Sequence, residues 1–88
     1  MEFKMVKEME NMWAIHVIEA GEVIGSEAFD NFKECADRYV EVLLENGIED
    51  DKVEESIISL FAIDEDKYTG HIIDLLATHY QTLEDMGL

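Results

Sequence analysis

The stretch that decides the fold class is Trp13-Ala14-Ile15-His16-Val17-Ile18-Glu19-Ala20-Gly21-Glu22-Val23-Ile24-Gly25-Ser26-Glu27-Ala28. Residues 13 to 18 are rich in β-branched and aromatic side chains and too apolar for a sheet edge, which predicts a central strand. Ala20-Gly21-Glu22 reads as a hairpin turn into another strand over residues 23 to 28. Upstream, residues 2 to 9 alternate. Phe3, Met5 and Met9 fall on one face and Glu2, Lys4 and Glu8 on the other, the period of a half-buried strand that Val6 slightly disturbs. The first third of the chain therefore reads as a three-stranded antiparallel meander.

The period then changes from two to that of a helix. Asp30 stands before the first helical residues, where a carboxylate accepts hydrogen bonds from free N–H groups, and Asn46-Gly47 supplies the C-terminal stop. On a wheel of 100° per residue, Phe29, Phe32, Ala36, Tyr39, Val40 and Leu43 share one side, while Asp30, Glu34, Asp37, Glu41 and Glu45 share the other. A second helix is expected after Asp50 or Asp51, with Val53, Ile57, Leu60 and Phe61 turned inward. A third is expected from Asp64 or Glu65 to about Asp85, with Ile72, Leu75, Leu76, His79, Leu83 and Met86 as its apolar arc. Gly70 weakens its first turns by about 1 kcal/mol relative to alanine. The expected class is α+β: a three-stranded antiparallel meander followed by two to three helices packed on one face, forming a single domain over residues 1–88.

Charge sets the functional problem. The chain has 22 acidic and 6 basic residues, a formal net charge of −16. Residues 29–88 carry 16 acids and 4 bases, so the surplus belongs mainly to the helices. Self-repulsion of this size destabilises a compact state, whereas solubility in a small domain needs a net charge of only about 2 to 8. The sign disfavours phosphate backbones and anionic membrane surfaces as direct partners and favours a basic protein surface. No apolar run approaches the roughly 18 residues of a membrane span, and the N-terminal residues lack the continuous apolar stretch of a signal peptide, so a cytoplasmic protein is expected. Cys35 is the single cysteine, which leaves no intrachain disulfide and fits a reducing compartment.

Other chemistry finds little support in the residues. Asp64-Glu65-Asp66 opens like a calcium loop, but Thr69 and Leu75 stand where that loop needs glycine and glutamate. His71 and His79 are eight residues apart on one predicted helix, a poor spacing for one shared ion. His79, amid an apolar arc, reads as a hydrogen-bonded core histidine, and His16 as a strand residue facing solvent or a partner. Cys35 lies at the margin of the first helix's apolar face beside acids, which raises a thiol pKa and makes a poor nucleophile. There is no phosphate-binding glycine loop, nucleophile elbow or CxxC pair, so neither a catalytic constellation nor a cofactor or metal site is expected.

What remains is a carboxylate surface. Acids three or four residues apart on a helix are spaced by roughly 5 to 6 Å, a row suited to the arginines and lysines of a cleft that normally holds phosphates. The candidate partner-binding residues are Glu34, Asp37, Glu41 and Glu45, followed by Glu49, Asp50, Asp51, Glu54 and Glu55. In size, acidity and element order the whole chain resembles the small inhibitors encoded by phages, the anti-CRISPR proteins and other DNA mimics, though it carries no family motif. The resemblance implies a non-enzymatic inhibitor, in the cytoplasm of a host cell, of a basic nucleic-acid-binding protein such as a CRISPR effector or another defence nuclease. Acidic immunity proteins and antitoxins that neutralise nucleases are equally similar in composition. A homodimeric structural or adaptor protein is the other reading, because the central strand is apolar on both faces while helices need cover only one.

Overall fold

A computed structural model describes residues 1–87. Three antiparallel strands in sequential order, β1 (Glu2–Met9), β2 (Met12–Glu19) and β3 (Glu22–Phe29), are followed by α1 (Phe32–Glu45), α2 (Asp50–Ser59), the single-turn α3 (Phe61–Asp64) and α4 (Thr69–Asp85). The fold class is the α+β arrangement expected from the strand and helix periods, with β2 in the centre of the sheet.

Turn chemistry and register explain the meander. Ala20 (φ 52°) and Gly21 (φ 81°) are both left-handed, the pattern that two-residue hairpins require because it matches the twist of the flanking strands. Glycine adopts it freely, whereas alanine carries a steric cost of about 1–2 kcal/mol. Phe3 pairs with Val17, Met5 with Ile15 and Lys7 with Trp13, while Trp13 also pairs with Phe29 and Ile15 with Glu27. Residues directly opposite share a face, so Met5, Trp13 and Ile15 form the floor under the helices. The pairing shifts between Lys7 and Met9, and this irregularity ends the alternation. Met9, expected on the inner face, is 61% exposed instead. Lys7 lies at the margin of the covered face and extends its amine to the Glu65 carboxylate, 2.6 Å away. β3 is an edge strand with Val23 and Ile24 exposed.

The amphipathic face of α1 seals the sheet. Phe32, Cys35, Ala36, Tyr39 and Leu43 are buried with Met5, Trp13 and Ile15, and Val53 and Ile57 of α2, Leu60 between α2 and α3, and Ile72 of α4 complete the core. The buried Tyr39 hydroxyl donates to the Phe3 carbonyl at 3.0 Å, tying α1 to β1. Phe32 stacks on Tyr68 with ring centroids 4.4 Å apart, and Trp13 meets both rings at right angles, joining sheet, first helix and the approach to α4.

Three boundaries differ from the sequence reading. Asn31, not Asp30, caps α1, its Oδ1 accepting the Glu34 N–H at 3.1 Å. Asparagine and aspartate serve equally well here, so the choice falls to the residue that packing of Phe32 places at the cap. Phe61 is 39% exposed rather than inward, because the chain breaks at Leu60 and begins a separate turn. The last helix starts at Thr69 rather than Asp64 or Glu65, since Glu65 (φ 55°) and Asp66 (φ 61°) are left-handed and interrupt it. Met86 also departs from the expected apolar arc, at 64% exposed.

Asp64 itself is buried, 2% exposed, and turns its carboxylate onto the start of α4. The Tyr68 N–H donates to Oδ1 and the Thr69 hydroxyl to Oδ2 at 2.6 Å. One backbone N–H, one hydroxyl and the positive end of the helix thus satisfy the Asp64 side chain out of water. Asp64→Ala strands both donors and is expected to lower unfolding free energy by about 2 kcal/mol, against about 1 kcal/mol for Asn31→Ala. Ala20→Gly removes the turn strain and is expected to raise it by up to about 1 kcal/mol. Urea denaturation of the three variants checks this order.

Candidate functional site

Core packing fixes the direction of the acidic residues. With Phe32, Ala36, Tyr39 and Leu43 buried, helical geometry turns Glu34, Asp37, Glu41 and Glu45 outward, and all four are exposed. Past the C-cap, Gly47 (φ 67°) reverses the chain toward α2, whose N-cap position is Glu49 and whose first turn contains Asp50 and Asp51. Carboxylates there face the positive end of the helix. Asp51 Oδ1 also accepts the Lys52 N–H at 3.0 Å. Glu55 is exposed as well, 3.5 Å from the Lys52 amine. Glu54 alone of the nine candidates is half-buried, beside Tyr80, whose phenol it raises above its ordinary value.

The row on α1 is less bare than acid spacing alone suggests. Arg38 Nη1 donates to Glu41 Oε2 at 3.0 Å and to Glu45 Oε1 at 3.3 Å, while its Nε lies 3.9 Å from Glu27 of β3. These acids hold the guanidinium above its ordinary pKa, the hydrogen bond to Glu41 first. Asp37 Oδ1 is 2.8 Å from His71 Nε2, which links α1 to α4. Sequence spacing contained Glu41 and Glu45 at i+3 and i+7 from Arg38, but Glu27 and His71 arrive only through the fold. Among the described residues Lys7, Arg38, Lys52 and Lys67 all make ion pairs with glutamates. Exposed pairs of this kind contribute about 0–1 kcal/mol each, too little to cancel the surplus.

The other titratable groups occupy structural positions. His79 is buried and its Nε2 donates to the Asp50 carbonyl at 3.2 Å, so the core histidine read from the sequence anchors the start of α2 to α4. His16 lies on the sheet's outer face, 2.8 Å from Glu8 Oε1. Cys35 is fully buried rather than marginal. Burial first, then the Glu27 charge, pushes its thiol up to about 12. No group of three or more His, Cys, Asp or Glu among the described residues is placed to hold a metal ion. Nor, among the described residues, is any helix long and apolar enough to cross a membrane.

Beside the acidic surface, an apolar groove of about 290 Å³ runs between α1 and α4, lined by Val40, Leu44, Ile48, Leu75, Leu83 and Met86 together with threonines and His79. When the chain is compared with protein-family models, curated proteins and solved structures, none matches.

These charges and this thiol lead to three expected outcomes. Added sodium chloride screens the surplus negative charge and is expected to raise the melting temperature, whereas a fold held by its surface ion pairs would lose stability; thermal melts across a salt series decide between them. The raised Cys35 pKa means that the folded thiol keeps its proton when the unfolded thiol ionises. Stability is therefore expected to fall as pH rises from about 9. Alkylation of Cys35 at pH 8 should require denaturant, which mass spectrometry of iodoacetamide-treated protein reads directly.

Proposed function

We propose that this protein is a non-enzymatic inhibitor of a basic, nucleic-acid-handling protein, a CRISPR effector or other defence nuclease, and acts by presenting carboxylates where phosphates would sit. The observation that carries this reading is the outward display of the acids. Eight of the nine candidate carboxylates are exposed, in a chain whose net charge of −16 exceeds what solubility requires. They follow one helix face from Glu34 to Glu45 and continue through Glu49, Asp50 and Asp51 into α2. Arg38 does not oppose this use. By bridging Glu41 and Glu45 it limits their rotamers and holds the row in order before a partner arrives.

Such a surface attracts a basic cleft at long range and loses that attraction as salt rises. Pairing of two copies through the sheet has less support. Trp13 and Ile15 belong to the helix-covered side, and the outer side carries Glu2, Lys4 and the His16–Glu8 pair around Ala14 and Ile18. Reversing Glu34, Glu41 and Glu45 to lysine is expected to abolish capture of nucleic-acid-binding proteins from a host lysate at low salt. The circular dichroism spectrum should not change, and DNA should displace what the unaltered protein captures. Undiminished, salt-resistant capture by the triple variant would sink the reading.

A further inference from the structure

The groove between α1 and α4 adds an apolar element to the acidic surface. Val40 and Leu44 lie one turn apart on α1, and Leu75, His79, Leu83 and Met86 recur at three- and four-residue spacing on α4. Leu44 is 53% and Met86 64% exposed, so the chain itself leaves this surface uncovered among the described residues. From Leu75 to Met86 the α4 wall runs about three turns, or roughly 16 Å at 1.5 Å per residue. A volume of about 290 Å³ is at or below the low end for small-molecule pockets, about 300 to 1,000 Å³. Elongated along α4 and apolar, the groove suits a row of side chains projecting from one helix.

Charge identifies which helix. Asp50 lines the groove, Glu41, Glu45 and Glu49 adjoin lining residues on the α1 side, and Asp74 and Asp85 do so on α4. No lysine or arginine lines the groove or neighbours a lining residue in the sequence. A second copy of this chain would set carboxylate against carboxylate, because the polar face of α1 is itself acidic. We infer that the groove takes a basic amphipathic helix of the partner protein, with apolar side chains seated against Val40, Leu44 and Leu83 and flanking lysines or arginines meeting the acidic rim. The inference rests on the proposed function and deepens it, because it names the element of the basic partner that is engaged.

The test uses three labelled peptides: one of leucine and lysine with leucines at helical spacing, one of the same composition with leucines scattered around the helix, and one with helical leucines and glutamine in place of lysine. Fluorescence anisotropy at low and high salt is expected to show the first peptide binding at least about tenfold more tightly than either other. Leu44→Ser and Met86→Ser should each weaken it by about tenfold without shifting the melting temperature. Equal binding of the scattered peptide would overturn the groove and leave the charge reading standing. Equal, salt-insensitive binding of the glutamine peptide would overturn the basic occupant of the groove and leave the charge reading to the lysate capture. Binding of none of the three would overturn the groove alone, the lysate capture remaining the separate measure of the charge reading. Self-association seen by sedimentation and lost in Leu44→Ser would place a second copy in the groove and overturn the inference.

Discussion

The packing of α1 against one face of a three-stranded sheet supports everything else in this molecule. Phe32, Cys35, Ala36, Tyr39 and Leu43 enclose Met5, Trp13 and Ile15, and the Tyr39 hydroxyl fixes the helix to β1. The contact has two consequences. It buries enough apolar surface for the domain to withstand a net charge of −16, and it dictates that the opposite side of α1, where Glu34, Asp37, Glu41 and Glu45 stand, faces water. A rotation of α1 by one residue, 100°, would bury part of that carboxylate row at a prohibitive desolvation cost. Core and acidic surface are therefore two sides of one helical register.

Much of this was legible in the sequence because periodicity reports burial directly. The alternation of residues 2 to 9, the β-branched apolar run from Trp13 to Ile18 and the Ala20-Gly21 turn identify the meander, and the three- and four-residue spacing from Phe32 to Leu43 identifies the packed helix. Element ends were less legible, since they depend on competition between neighbouring residues of similar chemistry. Asp30 and Asn31 can both cap a helix, and only the placement of Phe32 chooses. Glu65 and Asp66 have no intrinsic need to be left-handed. They become so because Asp64, at the end of α3, is turned onto the first turn of α4. The shifted pairing beyond Lys7 that exposes Met9 likewise arises from pairing with β2 rather than from β1 alone.

The candidate surface divides in the same way. Which acids point outward followed from helix geometry, and Glu54 is the exception because α4 brings Tyr80 beside it. What sequence spacing could not supply was the connection of the row to its surroundings. Glu27 reaches Arg38 from β3, and His71 reaches Asp37 from α4, across 11 and 34 residues of chain respectively. Contacts at such separations are products of topology. They turn a run of like charges into an ordered surface, with one arginine and one histidine as fixed points, adjoining a groove whose apolar walls come from two helices distant in sequence.

β3 leaves the sheet with an open edge. Its outward side chains include Val23 and Ile24, flanked by Glu22 and Glu27, in a strand where every residue but Gly25 and Phe29 is exposed. An edge of that kind is a template on which strands from other copies can add. At neutral pH the carboxylates of each molecule hold every other molecule away, so the charge that strains the fold also guards its edge. Where salt screens that repulsion, the strain and the guard weaken together, and the edge is left open to strands from other copies.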